Sequence, residues 1–191
     1  MARAAAGYTL VELLIVAALL AVIARVSIQT MGPAAAARLD AAAGEVAAAL
    51  RFARVEAMRT GRWHGVDFGA PSGTGERRIR VFRVGSALPP GAVYDVRHPV
   101  RKALYDVALS SHPGAAGVTL AQAEFHYASG GTVQTHEWVA FDPAGTPDYY
   151  PDAAGYGAFG DATRINAATL AQAGLTRRVL LDPVTGRVTT E

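Results

Sequence analysis

The sequence predicts an α+β protein in which a long N-terminal helix packs on a C-terminal antiparallel β-sheet head. Residues 1–60 contain an apolar run followed by a helical stripe of apolar residues, and from Gly61 onward short alternating segments are separated by turns rich in Gly and Pro. The 191-residue chain contains no cysteine, so disulfides and cysteine-ligated metal sites are excluded. The head must therefore be held together by its apolar core alone.

The first element is an apolar helix near the N-terminus. Residues 13–24 carry no polar side chain, Arg25 ends the run, and a single acidic residue, Glu12, precedes it. At about 1.5 Å per residue, a helix over residues 8–24 is about 26 Å long, close to the ~30 Å hydrocarbon core of a bilayer. The run therefore predicts a membrane-spanning helix.

Two other interpretations of this run compete with that prediction. A buried core helix of a globular protein usually keeps a polar face, which this run lacks. A secretory signal peptide explains Arg3 and the apolar run, with cleavage after Ala24, and would leave a secreted soluble domain. An ordinary signal peptide, however, has no use for the carboxylate of Glu12.

The segment Gly7-Tyr8-Thr9-Leu10-Val11-Glu12 resembles the processing site of type IV prepilins and type II secretion pseudopilins. Those proteins have a short leader ending in Gly, then an aromatic residue, and a Glu at the fifth mature position. The resemblance implies that a prepilin peptidase cleaves between Gly7 and Tyr8, that Tyr8 is N-methylated, and that the apolar run is retained. Phe is the commoner aromatic residue, so Tyr8 is a mild departure from the pattern.

Glu12 gains a role from this resemblance. A carboxylate in lipid costs a few kcal/mol or more unless it finds a partner. Cleavage creates an α-amino group four residues before Glu12, and in a filament the N-terminus of the next subunit can serve as that partner. We therefore predict that Glu12 neutralises a neighbouring subunit's amine and sets the axial register of assembly. The alternative is that Glu12 lies at the level of the lipid headgroups.

The second half of the helix is predicted to pack on the head. Gly32 and Pro33 predict a kink, because proline cannot donate a helical hydrogen bond, and Gly61 predicts the C-terminal end of the helix. Apolar residues recur at spacings of three and four and form one stripe: Leu39, Ala43, Val46, Leu50, Ala53 and Ala57.

Residues 50–61 are similar to the end of the long helix in the GspH/FimT group of minor pilins and pseudopilins. The resemblance implies a pilin-like fold with four parts: a leader at 1–7, a transmembrane and filament-core helix at 8–31, an amphipathic second half at 32–60, and a β-rich head at 61–191.

Eight strands are predicted in the head, at 63–68, 77–84, 92–96, 105–109, 123–128, 137–141, 177–181 and 187–190. The turn-forming sequence at 182–186, Asp-Pro-Val-Thr-Gly, is expected to join the last two as a hairpin.

Candidate metal and catalytic residues are few. The long irregular segment 142–162 contains four aspartates that could bind Ca²⁺ through oxygen, or could simply form turns: Asp142, Asp148, Asp152 and Asp161. His126 and His136 could face each other across a hairpin, although two histidines do not make a zinc site. No nucleophile motif, P-loop or dinucleotide fingerprint is present, so we expect neither catalysis nor a cofactor.

Basic residues offer a possible weak contact with nucleic acid. One cluster lies in the predicted strand 77–84, and Arg177, Arg178 and Arg187 lie near the C-terminus. Some FimT-type pilins bind DNA through a Gly-Arg-x-Arg tail, whereas the segment 186–189 here reads Gly-Arg-Val-Thr and lacks the second Arg. The net charge of only +2 favours a charged, solvent-facing strand instead.

The resemblance implies a structural minor pseudopilin that initiates or caps the periplasmic pseudopilus of a type II secretion system. The alternative is a FimT-like minor type IV pilin that acts in pilus assembly or DNA uptake. The implied partners are other pilins or pseudopilins, the prepilin peptidase, the inner-membrane assembly platform and membrane lipid. The implied location is the bacterial inner membrane, with a single pass and the head in the periplasm, and then a filament in the periplasm or at the cell surface.

Overall fold

The computed structural model describes residues 10–85, 91–129, 132–148 and 164–191, together with their side chains except those of residues 22–33 and 129. It confirms the predicted α+β class, because one N-terminal helix packs on antiparallel sheets.

Helix α1 spans Leu10–Thr60 and contains 51 residues. It continues through Gly32 and Pro33, so neither residue ends it, and a kink there stays a prediction. Gly61 follows the helix with φ of 64°, the left-handed conformation that glycine adopts at helix C-termini. The predicted end of the helix is therefore confirmed.

The predicted stripe of α1 forms the helical side of the core. All six of its members are at most 3% exposed, and Val46 and Leu50 are fully buried. Four of the six stripe residues are alanine or valine, and such small side chains let the helix axis approach the sheets closely. The stripe is confirmed as the face that packs on the head.

Eleven strands follow within the described part of the chain. In chain order they are β1 His64–Asp67, β2 Ile79–Val84, β3 Ala92–Val93, β4 Asp106–Val107, β5 Thr119–Ser129, β6 Thr132–His136, β7 Trp138–Phe141, β8 Pro147–Asp148, β9 Ala167–Gln172, β10 Leu175–Leu181 and β11 Val188–Thr190. A short 3-10 helix spans Leu109–Ser111.

The strands form two antiparallel sheets. One has the order β3-β2-β1-β7-β8, with β4 also paired to β2, and the other has the order β11-β10-β9-β5-β6. Side chains from α1 and from both sheets share one apolar core, in which Phe68 stacks on Phe125 with ring centroids 5.6 Å apart. The helix therefore holds the two sheets together.

Strand β9 was missed by the sequence analysis, although it is the central strand of its sheet. Its sequence, Ala-Ala-Thr-Leu-Ala-Gln, contains one β-branched residue and no aromatic residue, so its intrinsic β-propensity is low. Pairing with β5 on one side and β10 on the other makes it a strand. β6 and β8 were also missed, and the predicted strands 92–96 and 105–109 are each only two residues long.

Strand β1 contains a glycine, Gly65, that has no room for a side chain. A Cβ atom on Gly65 would lie 2.5 Å from the carbonyl oxygen of Val139 in β7 and would overlap the ring of Phe82. Gly65 pairs with Phe82 of β2 on one side and with Ala140 of β7 on the other. The ring of Phe82 therefore lies across the glycine, where any side chain would displace it.

The predicted C-terminal hairpin is confirmed, since β10 and β11 pair antiparallel with Leu181 opposite Val188. The Asp182 carboxylate organises its turn: Oδ1 accepts hydrogen bonds from the amide of Val184 at 3.0 Å and from the amide and hydroxyl of Thr185 at 2.7 and 2.8 Å. These hydrogen bonds lower the pKa of Asp182 below its ordinary value.

The hairpin is bound to the helix by two arginines. Arg51 Nη2 donates to the carbonyl oxygen of Val188, and Arg54 Nη1 donates to that of Gly186, both at 3.3 Å. These contacts place the edge strand β11 against α1.

We expect Asp182→Ala to lower the free energy of unfolding by about 1 kcal/mol, because three donors in the turn lose their acceptor. The pKa of Asp182 is lowered in the folded state, so its contribution is present above its ordinary pKa of 3.8 and is lost as the pH falls below it. The matched control is Asp182→Asn, which keeps an acceptor but cannot titrate. Urea unfolding from pH 7 to pH 2.5 should show the advantage of the native protein over Asp182→Asn shrinking towards pH 2.5. A constant difference would contradict the assignment.

Candidate functional site

The N-terminal part of α1 exposes apolar side chains on every side. All residues from 10 to 21 are exposed, whereas burial against the head begins at Ala35. Eight large apolar side chains are between 48% and 76% exposed: Leu10, Val11, Leu13, Leu14, Ile15, Val16, Leu19 and Leu20. A helix that is apolar around its circumference requires apolar surroundings, so this segment is an interaction surface rather than a solvated helix.

Glu12 lies in the first turn of the described helix and is exposed. Ile15, Val16 and Leu19 follow at the spacing that places them on the same helical face, so the carboxylate lies within an apolar surface. The predicted cleavage residues Gly7 and Tyr8 lie outside the described residues.

The three C-terminal arginines do not form a free basic surface. Arg177 Nε donates to Asp40 Oδ1 at 2.8 Å, which connects β10 to α1, and Arg178 Nη2 lies 3.4 Å from Glu191 Oε2. A groove of about 600 Å³ beside α1 is lined by Asp40 and Glu191 as well as Arg177. The charge of Arg187 helps to lower the pKa of Asp182. Carboxylates thus compensate the positive charge at this end of the chain.

The basic strand β2 and the residues before it are likewise paired. Each of four arginines is bound to a carboxylate, as Arg77–Glu137, Arg78–Asp106, Arg80–Asp67 and Arg83–Asp95. The pairing compensates the positive charge of this segment. It offers no concentrated positive charge to phosphates.

The histidines of the β5–β6 hairpin do not face each other, so that suggestion was wrong. His126 lies opposite Thr135, and its Nδ1 is 3.0 Å from the Thr135 hydroxyl, whereas His136 lies opposite Phe125. Because neighbouring positions of a strand point to opposite faces, the two imidazoles are on different sides of the sheet. His136 packs on Trp138 with centroids 5.0 Å apart, and burial lowers its pKa.

The aspartates of the 142–162 segment are only partly covered by the structure. Asp142 Oδ1 accepts the amide of Thr146 at 2.7 Å, which is the role of a turn former, and Asp148 ends β8. Asp152 and Asp161 lie outside the described residues. Among the residues that are described, no three His, Asp or Glu side chains converge as metal ligands would.

One cluster of titratable side chains escaped the sequence analysis. Glu45 of α1 lies between His98 and His112, with each imidazole Nε2 4.0 Å from one of its carboxylate oxygens. The three residues come from the helix, from the loop 97–104 and from the residue after the 3-10 helix. No local sequence pattern connects them, so only the tertiary fold reveals the cluster.

Comparison with known proteins supports the class that the N-terminal segment suggested. Over residues 2–24 the chain is similar to the family described as the prokaryotic N-terminal methylation motif, the signal of type IV pilin-like prepilins. This similarity, which includes Gly7, Tyr8 and Glu12, supports a pilin-like or pseudopilin role that is structural rather than enzymatic. It also supports prepilin peptidase processing and assembly with other pilins.

No curated protein and no solved structure matches the chain. Within the part of the chain that the structure describes, no helix combines the length and hydropathy needed to span a membrane.

Proposed function

We propose that this chain is a minor pseudopilin of the GspH/FimT type that initiates or caps the periplasmic pseudopilus of a type II secretion system. The observation that carries the proposal is the division of α1 into two parts. Its N-terminal part exposes apolar side chains all around, and its C-terminal part is packed on a two-sheet head. A filament subunit needs this division, because one part joins the filament core while the other presents the head.

The four segments of the chain have separate roles in the proposed processing and assembly of the subunit. The leader 1–7 is removed, and Tyr8 becomes the N-methylated first residue. Segment 8–31 holds the subunit in the inner membrane and later enters the filament core, while segment 32–60 connects it to the periplasmic head at 61–191. The assembly platform of the inner membrane then transfers subunits from lipid to filament.

Glu12 is the proposed assembly residue. Once the apolar part of α1 is surrounded by neighbouring helices, an unpaired carboxylate there would be costly. The α-amino group of Tyr8 in an adjacent subunit supplies the opposite charge. A subunit in the wrong axial position would leave both charges unpaired, so the pair selects one register.

The mature N-terminus tests the proposal directly. We expect mass spectrometry of the protein isolated from native membranes to find a chain that begins at N-methylated Tyr8. A chain that begins at Arg25 or later would mean that the apolar run is discarded as a signal peptide, and the proposal would fail. Deletion of the prepilin peptidase should leave residues 1–7 attached, which controls for unrelated proteolysis.

The alternative, a minor type IV pilin, differs in the process that it serves. Loss of secreted enzymes with intact surface pili in a deletion strain supports the secretion pseudopilin. Loss of pili with intact secretion supports the type IV pilin.

The DNA-uptake form of that alternative requires the chain to bind DNA. Because the arginines of both basic segments are paired with carboxylates, we expect the full chain in detergent not to retard duplex DNA in a gel at low salt.

A further inference from the structure

The cluster around Glu45 joins α1 to a loop of the head. Glu45 Oε1 is 4.0 Å from His98 Nε2, and Glu45 Oε2 is 4.0 Å from His112 Nε2. The three side chains are only 13% to 19% exposed. Within the described residues, Glu45 Oε1 and His112 Nδ1 are buried without a hydrogen-bond partner. Buried polar atoms of this kind make a site sensitive to any change of charge.

His98 is also the internal acceptor of its own loop. Its Nδ1 accepts the backbone amides of Val100 at 3.1 Å and Arg101 at 3.2 Å. Its backbone closes the same loop, because the amide of His98 donates to the carbonyl of Ala103 at 2.8 Å and the amide of Lys102 donates to the carbonyl of His98 at 3.0 Å. The loop 97–104 is therefore folded around one imidazole.

These contacts determine where His98 carries its proton. A nitrogen that accepts two N–H groups has no hydrogen of its own, so the neutral ring is protonated at Nε2, the nitrogen nearest Glu45. A metal ion at Nε2 would need the lone pair of that nitrogen and would move the hydrogen to Nδ1, against both amides. The geometry thus favours a proton-sharing cluster over a metal centre.

We propose that His98 is an acid-sensitive latch that keeps the loop 97–104 closed beside Glu45 of α1. A second proton can bind His98 only at Nδ1, the position to which the amides of Val100 and Arg101 point. The protonated ring and the closed loop are therefore mutually exclusive, and acidification releases the loop from the helix.

Burial and the surrounding charges determine whether the closed loop is more stable at high or at low pH. Burial lowers the pKa of His98 from its ordinary value of 6.5. The negative charge of Glu45 on α1 raises this pKa, whereas the positive charge of Arg101 in the loop lowers it further. The other titratable neighbours are His112 and Tyr105, whose ring centroid is 4.6 Å from that of His98. Because the pKa is lowered in the closed state, closure is fully stable above about 6.5 and weakens as the pH falls below that value.

Release of the loop would change the surface beside the middle of α1. The closed loop already presents Val100, which is 81% exposed, and Leu104, which is 53% exposed. Tyr105, which follows the loop in the chain, is buried and stacks on Phe52 of α1 with ring centroids 5.4 Å apart. Opening would expose this stack next to Glu45, so a subunit in an acidified compartment would present a different side to its neighbours.

The test combines two measurements on the full chain in detergent micelles. Nitrogen-15 spectra of labelled histidines should show His98 as the neutral Nε2–H tautomer at pH 7.5. Hydrogen exchange, corrected for the intrinsic effect of pH, should show the protection of the Val100 and Arg101 amides falling by up to tenfold for each pH unit below about 6.5.

Three variants separate the latch from a general loss of structure. His98→Asn keeps a side-chain oxygen that can accept the same amides but does not titrate, so protection should become independent of pH. Glu45→Gln should leave the onset of the loss unchanged and make the loss at low pH at least as large as in the native chain, because the charge that opposes the lowering of the His98 pKa in the closed loop is gone. His112→Gln should retain the pH dependence of the native chain.

The proposal is overturned if His98→Asn opens with pH as the native chain does, or if His112→Gln removes the dependence. It is also overturned if the spectra show the Nδ1–H tautomer at pH 7.5. Zinc added at pH 7.5 should leave exchange unchanged; a zinc-induced protection that Glu45→Gln abolishes would identify a metal centre instead.

Discussion

Gly65→Ala should lower the free energy of unfolding by about 3 kcal/mol, a large fraction of the roughly 5–15 kcal/mol by which an ordinary domain is stable. The added methyl group would lie 2.5 Å from the backbone carbonyl oxygen of Val139, which cannot move without distorting the pairing of β1 with β7. It would also push the buried ring of Phe82 out of its place over the glycine. Thermal or urea unfolding of the full chain in detergent measures the effect.

The matched control is Gly44→Ala, at a glycine of α1 whose added Cβ would meet no atom within 4 Å. Alanine is favoured over glycine inside a helix by up to about 1 kcal/mol, so this variant should be as stable as the native protein or slightly more stable. Equal losses in both variants would show that glycine flexibility, and not the closed space over β1, causes the effect at Gly65.

Glu12→Gln should reduce incorporation into filaments more than tenfold while leaving processing intact. The amide keeps the size and polarity of the side chain but removes the negative charge that is proposed to attract a neighbour's N-terminal amine. Mass spectrometry should still find N-methylated Tyr8 as the first residue. Cross-linking to other pilins and the yield of sheared or purified filament measure assembly.

Glu191→Gln is the control for a general effect of removing one carboxylate. Glu191 lies on the surface of the head, where its side chain is 58% exposed and pairs with Arg178. A surface pair of this kind contributes little to stability, so incorporation should remain at the native level. Normal assembly of Glu12→Gln would instead indicate that Glu12 lies among lipid headgroups and has no part in setting the register.

The features that the sequence predicts correctly are those with local physical causes. The stripe from Leu39 to Ala57 follows from helical spacing, Gly61 ends the helix through its left-handed conformation, and Asp182 begins a turn through its own side-chain hydrogen bonds. The class of protein was likewise visible in the few residues around Gly7, and the match over residues 2–24 supports it. Each of these signals is contained in a short segment.

The features that were missed depend on distant partners. Strand β9 has little β-propensity and is a strand because β5 and β10 lie on either side of it. The orientation of His126 and His136 depends on a register that a one-residue shift would reverse. The contact of Glu45 with His98 requires the packing of a loop on a helix, and the pairing of Arg177 with Asp40 requires that of a hairpin on the same helix. No single-segment pattern contains such information.

The hydrogen bonds from α1 to the last hairpin also constrain the time at which the head can be completed. Arg51 and the carbonyl of Val188 are 137 residues apart in the chain, and Arg54 and the carbonyl of Gly186 are 132 apart. Contacts of such long range form slowly, and these cannot form until the last hairpin has been synthesised. The N-terminal apolar segment is synthesised first, so it can reach its destination while the head is still open. The hydrogen bonds between α1 and the last hairpin can thus form only after the apolar segment and all the intervening strands have been made.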